Sequence, residues 1–196
     1  LKRNTTQPAA PNRWMHLTSG QPAKPDGFQG EKKMTVSFLR VDDRMIHGQT
    51  CTRWAKEYPC DGIIAVNDKA AANPVLKNAY KAASGKKTFV WGVDEFIKKS
   101  PKVLNSDTQY FVITKNPIDM EKILVQARFK PGVEKLIIGP CNDRPDAVKL
   151  GNNQSITQAE ADALESISKA GYDIRFQLLP DVSIGGWSDF KGRFGY

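Results

Sequence analysis

From Met34 onward the chain alternates short apolar runs with longer stretches of mixed polarity. "MTVSFLRV" (34–41), "GIIAVN" (62–67), "KTFVWGV" (87–93), "QYFVITK" (109–115), "EKLIIGP" (134–140) and "YDIRFQLLP" (172–180) are rich in β-branched and aromatic residues and predict six strands. Their apolar positions run almost without interruption, the pattern of strands covered on both faces. The fold class read from this is α/β: an open, mostly parallel sheet with helices on both faces. Between the runs, helix starts are marked by chemistry. Asn73-Pro74 and Asn116-Pro117 each place a capping amide before a residue whose fixed φ suits the first helical position. Thr157 and Glu160 have capping-box spacing, and Gly171 follows the end of "TQAEADALESISKAG". Ile46, Thr50, Trp54 and Tyr58 recur four apart and predict a first helix from Ile46. The glycine-rich, aromatic stretch from about 181 to 196 predicts an irregular tail whose rings pack on the domain.

The first 33 residues lack apolar periodicity and are rich in Pro, Gly, Gln, Asn, Thr and Lys. They predict a disordered leader, tag or linker, with one domain over 34–196. The net charge of +8 changes meaning once divided. Six basic residues against two acidic ones give the leader +4, and the remaining 23 basic and 19 acidic residues give the domain only +4. A mildly basic domain suits anionic ligands, and the leader's scattered charges without interleaved aromatics give no expectation of nucleic-acid binding. Cys51, Cys60 and Cys141 form no CxxC pair, so a reduced, cytoplasmic protein without disulfide framework or zinc site is expected. No apolar stretch approaches the roughly 20 residues of a membrane span, so a membrane link would run through a partner.

The chemistry concentrates in "RVDDRMIHGQ" (40–49), where the first strand gives way to the first helix. In an open parallel sheet, loops at the carboxyl ends of strands build the ligand site, and a helix N-terminus there attracts anions. His47 is placed to act as a nucleophile toward a phosphoryl group. Arg40 or Arg44 would attract the phosphate and disfavour the imidazolium. Asp42 or Asp43 would hold one ring nitrogen and leave the other to attack. Gly48 lets the backbone approach the anion, and the Gln49 amide can donate to an oxygen. The bland alternative is a satisfied histidine among solvated ion pairs worth under about 1 kcal/mol each. A non-catalytic module that binds a phosphorylated metabolite is the competing functional class.

The same ten residues resemble the active-site motif Arg-Ile-Asp-Asp-Arg-Leu-Ile-His-Gly-Gln of IIB components of the mannose/fructose/sorbose family of the bacterial sugar phosphotransferase system. The resemblance continues through "TRWAKEY", "IIAVNDKAAANP", "FVITKNPIDMEKIL", "IIGP" and "SITQAEADALESISKAGYDI", covering about residues 34 to 180. It implies some antiparallel pairing late in the chain. It implies that His47 takes a phosphoryl group on Nδ1 from a IIA phosphohistidine and passes it to a sugar moved by IIC and IID membrane components, with the protein peripheral to the membrane through them. By the same resemblance Arg40 and Arg44 bind phosphoryl oxygens, Asp43 orients or supports the loop, and Thr114 and Asn116 lie beside the histidine. No cofactor and no metal are expected, because a helix terminus and guanidinium groups suffice for charge stabilisation. "GPCNDRP" (139–145) departs from many relatives, and Arg144 there is read as a solvated loop residue or an added anion contact.

Overall fold

The computed structural model describes residues 34–196, and the leader expected over 1–33 lies outside them. Six strands form where the apolar runs predict them: β1 (Val36–Val41), β2 (Gly62–Val66), β3 (Lys87–Trp91), β4 (Tyr110–Thr114), β5 (Lys135–Ile138) and β8 (Asp173–Leu179). Three further strands were not predicted: β6 (Ala147–Gly151), β7 (Gln154–Thr157) and β9 (Val182–Gly186). The main sheet has the order β3-β2-β4-β1-β5-β8-β9, parallel except for the β8–β9 pair, while β6 and β7 form a separate antiparallel hairpin. Val41 pairs with Thr114 on one side and with Ile138 on the other, so β1, β4 and β5 end level.

The sheet separates two apolar layers. One packs Phe38, Ile63, Phe111 and Ile137 against Trp54 and Ala55 after β1 and against Ala70 of α2 (Asp68–Ala72), with Tyr80 of α3 (Pro74–Ser84) at its margin. The other packs Leu39, Val41, Val112 and Leu136 against α4 (Val93–Leu104), α5 (Pro117–Glu121) and α6 (Gln158–Lys169). β1 therefore sends its helix to one face while its neighbours β4 and β5 send theirs to the other. The diverging loops open a crevice at the carboxyl end of β1, where such sheets bind ligands.

The caps behave as their side chains require. Asn73 and Asn116 accept from the amides of Leu76 and Asp119 at 3.1 and 2.8 Å, each with proline following. Thr157 and Glu160 form the reciprocal capping box, and Gly171 leaves α6 at φ +98°. Two expectations need correction. The first helix spans 48–57 and opens into a π-helical turn over Thr50–Trp54 before α1 (Ala55–Glu57). The segment from 181 is not irregular: β9 covers the free edge of β8, and α7 (Trp187–Phe190) and a 3-10 turn (Lys191–Phe194) follow. Its rings supply the reason. Phe190 sits edge-on to Phe176 with centroids 5.2 Å apart, and the Trp187 indole donates to Glu165 at 2.8 Å.

Candidate functional site

The loop leaving β1 is pinned from both sides. The Asp42 amide donates to the Thr114 carbonyl at the end of β4, and the Asp43 amide to the Pro140 carbonyl after β5, both at 3.0 Å. The Asp42 carboxylate then folds the chain back on itself, Oδ1 accepting from the Arg44 amide at 3.0 Å while the Asp42 carbonyl accepts from the Met45 amide at 2.9 Å. Met45 is buried in the left-handed region at φ +54°, a conformation that costs a non-glycine residue about 1–3 kcal/mol. That reversal brings His47 back over Asp42.

His47 Nε2 lies 3.2 Å from Asp42 Oδ2, with the imidazole 13% exposed and the carboxylate 0% exposed. The sequence left Asp42 and Asp43 open as the ring holder; the geometry selects Asp42. A neutral ring whose Nε2–H donates to this carboxylate carries its lone pair on Nδ1. The same Asp42 Oδ2 accepts from Arg40 Nε at 3.1 Å and forms an ion pair with Nη2 at the same distance. Arg40 is 1% exposed. Its guanidinium also donates to the Gln177 and Leu178 carbonyls at 3.2 and 3.4 Å, and it lies 4.4 Å from the Trp54 ring centroid. Trp54 itself donates its indole N–H to Leu178 O at 3.3 Å. Burial pulls the Arg40 pKa down, and Asp42 opposes that shift. Arg40, read from the sequence as a phosphate-binding residue, is buried here with its donors engaged by protein groups. Sheet alternation places it on the Phe38 side, under Trp54 and the β8–β9 hairpin, where it braces Asp42 instead.

Arg44 is the exposed arginine of the pair, and among the described residues its side chain has no hydrogen-bond or ion-pair partner. Gly48 and Gln49 are exposed at the start of the helix, and a Cβ at Gly48 would meet no atom within 4 Å. That glycine leaves open space beside the imidazole rather than meeting a packing need. Asp43 supports the loop: Oδ2 accepts from the Asn142 amide at 3.0 Å, and Oδ1 is buried without a partner. Burial raises its pKa, the Asn142 N–H pulls the other way, and the Asp42 charge adds to the rise. Thr114 and Asn116 come to the same end of the sheet without facing the ring. Thr114 Oγ1 donates to the Asn116 carbonyl at 2.9 Å, and Asn116 caps α5 and donates to Asp119 Oδ2 at 3.1 Å. Asn67, the cap of α2, donates to that same oxygen at 3.2 Å and ties the β2 loop to the β4 loop.

The thiols are not candidates for nucleophiles. Burial raises the pKa of Cys51, Cys60 and Cys141, most strongly at Cys141, where the carboxylates of Glu160, Asp43 and Asp42 add to the rise. Arg144, with its side chain 36% exposed, pairs with Glu160 in the α6 capping box and donates to the Ser155 carbonyl.

Five contributors escaped the sequence reading. Trp54 and the Gln177 and Leu178 carbonyls hold Arg40. Gly139 leaves it room, since a Cβ there would stand 2.2 Å from Arg40 Nη2. Lys115 donates its ammonium to the Asp43 carbonyl. Only Gly139 carried a signal, as a glycine directly after a buried strand. As a unit, the site presents an imidazole whose Nε2 faces Asp42, an Nδ1 without a hydrogen-bond partner among the described residues, an unpaired guanidinium and a helix start. That is the equipment for attack on a phosphoryl group.

The family model for the PTS system sorbose subfamily IIB component matches residues 36–194. The mannose-specific EIIAB component of Escherichia coli (strain K12) is 29% identical over 160 residues, covering 81% of this chain and 48% of that protein, so the chain spans about half the length of that relative. The sorbose-specific EIIB component of Klebsiella pneumoniae is 26% identical over 156 residues, covering 77% of this chain and 93% of that one. The crystal structure of the IIBSor domain of the sorbose permease from Klebsiella pneumoniae shares the fold, with a TM-score of 0.71 at 24% identity over 83% of this chain and 99% of that one. With the family model covering most of the described domain and the same sheet in a solved relative, the chain belongs to the sorbose subfamily of PTS IIB components.

Proposed function

We propose that this chain is a phosphocarrier that accepts a phosphoryl group on Nδ1 of His47 from a IIA phosphohistidine and donates it to a sugar handled by IIC and IID membrane components. The observation that carries the reading is the 3.2 Å contact between Nε2 and Asp42, which leaves Nδ1 as the free nitrogen. In the transfer, the P–N bond on the donor breaks as the Nδ1–P bond forms. The accepting ring keeps its proton on Nε2 and gains positive charge, which the buried Asp42 carboxylate offsets. Arg40 holds that carboxylate in place, and Arg44 with the helix start at Gly48 and Gln49 receives the phosphoryl oxygens. Phosphoryl transfer depends mainly on in-line positioning and charge stabilisation, and these groups supply both. No helix among the described residues is long and apolar enough to cross a membrane, so delivery to a membrane-embedded sugar site falls to partner proteins.

The test supplies phosphoenolpyruvate labelled in its phosphate, the two general phosphotransferase proteins and a IIA component. The wild-type chain takes up acid-labile label and His47→Ala does not. Equal labelling of the two would defeat the proposal.

A further inference from the structure

Helix α3 offers its first turn to solvent at the same end of the sheet as His47. It begins just beyond α2, after the carboxyl end of β2. Val75 is 77% exposed and Leu76 36% exposed, and they follow the exposed Pro74, with the exposed Ala72 on the far side of Asn73. Consecutive exposed apolar residues are unfavourable in water unless a partner covers them. The surface is rigid, because Asn73 caps the helix through the Leu76 amide and Pro74 fixes the first helical φ. Its flank reaches the site. Tyr80, two turns from Pro74 and half-buried, packs on the layer that holds Trp54, Met45 and Ile46, and its hydroxyl feels the Asp42 carboxylate.

We propose that this turn of α3 is the docking anchor for the protein that hands its phosphoryl group to His47, a partner presenting an apolar socket beside a negatively charged rim. The inference rests on the phosphotransfer reading above. Charge complementarity selects such a partner. α3 carries Lys77 and Lys81 and no acidic residue, while Arg44 and Lys115 stand exposed at the loops around the ring. A donor arriving with a phosphohistidine brings a doubly negative group to this basic setting, which steers the encounter. Two rigidly held aliphatic side chains then fix its orientation, as buried anchors do at transient interfaces.

The experiment measures transfer from a phosphorylated IIA component to the full chain over a range of IIA concentrations. For V75S/L76S we expect KM to rise tenfold or more while kcat stays within twofold of wild type and the unfolding midpoint is unchanged. V75I/L76M, which keeps the apolar surface, retains the wild-type KM. If V75S/L76S keeps KM within twofold while His47 is labelled normally, docking through α3 is wrong and the phosphotransfer reading stands. Wild-type chain that takes no label on His47 defeats the phosphotransfer reading, and the docking assignment with it. A variant with normal KM that loses wild-type binding to phosphatidylglycerol vesicles would assign the surface to a membrane and overturn the proposal.

Discussion

Replacing Arg40 by methionine tests whether that buried cation secures the carboxylate that orients His47. Methionine keeps much of the side-chain volume over Trp54 but removes every donor. Asp42 loses the Nε hydrogen bond and the Nη2 ion-pair contact, both at 3.1 Å, and is left with an uncompensated charge at 0% exposure, sharing only the His47 ring and the Arg44 amide. The Gln177 carbonyl also loses its Arg40 donor, whereas Leu178 keeps the Trp54 indole. Breaking one side of such a pair typically costs about 3–5 kcal/mol. Neutralising both sides should cost less, so R40M/D42N should be more stable than the sum of the two single losses predicts, with a coupling of about 2 kcal/mol. Urea unfolding followed by tryptophan fluorescence, with Trp54 lying against the site, measures all three variants against wild type. If R40M lies within about 1 kcal/mol of wild type, or the double variant is simply additive, the brace is not where the structure puts it.

Further outcomes follow from neighbouring contacts. Gly139→Ala drives a Cβ to 2.2 Å from a guanidinium already locked by carboxylate, carbonyls and indole, so it should destabilise by about 1–3 kcal/mol in the same assay and slow phosphotransfer. Asp43→Asn keeps an acceptor for the Asn142 amide but removes a charge that burial disfavours. Because the folded-state pKa is raised, ionised Asp43 weakens the fold above that pKa and the penalty fades as pH falls through it; melting curves should show the variant more stable at pH 7, with the gap closing toward pH 4. Asn116→Ala removes a helix cap and one of two amides on Asp119, and calorimetry should show a loss of about 1–2 kcal/mol. Deleting residues 1–33 should leave labelling of His47 unchanged in the phosphotransfer assay, since the family match begins at residue 36.

The centre of the sheet was legible because β1, β2, β4 and β5 are buried on both faces, which writes burial into the sequence as nearly unbroken apolar runs. β7 was not, because its buried positions Gln154 and Ser155 are polar and carry no apolar signal, and β6 and β9 were not, for the opposite reason. β6 and β9 keep half-exposed or exposed faces, and glycines end both, so their pairing is decided by neighbours rather than by their own pattern. The caps at Asn73, Asn116 and Thr157 were legible because each uses a local hydrogen bond encoded within three residues. At the site, His47 and its pair of aspartates stood out by type and spacing. The choice of Asp42 over Asp43 depends on the left-handed turn at Met45, which methionine does not advertise. The role of Arg40 depends on carbonyls 137 and 138 residues away, beyond any local pattern.

The account turns on which imidazole nitrogen is free, and nitrogen-15 NMR of histidine-labelled protein reads that directly. After phosphorylation by the IIA component, the His47 ring should show the phosphoryl group on Nδ1 and a proton on Nε2, with the Nε2–H hydrogen-bonded to Asp42. A phosphoryl group on Nε2 would contradict the assignment of Asp42 as the residue that orients the ring.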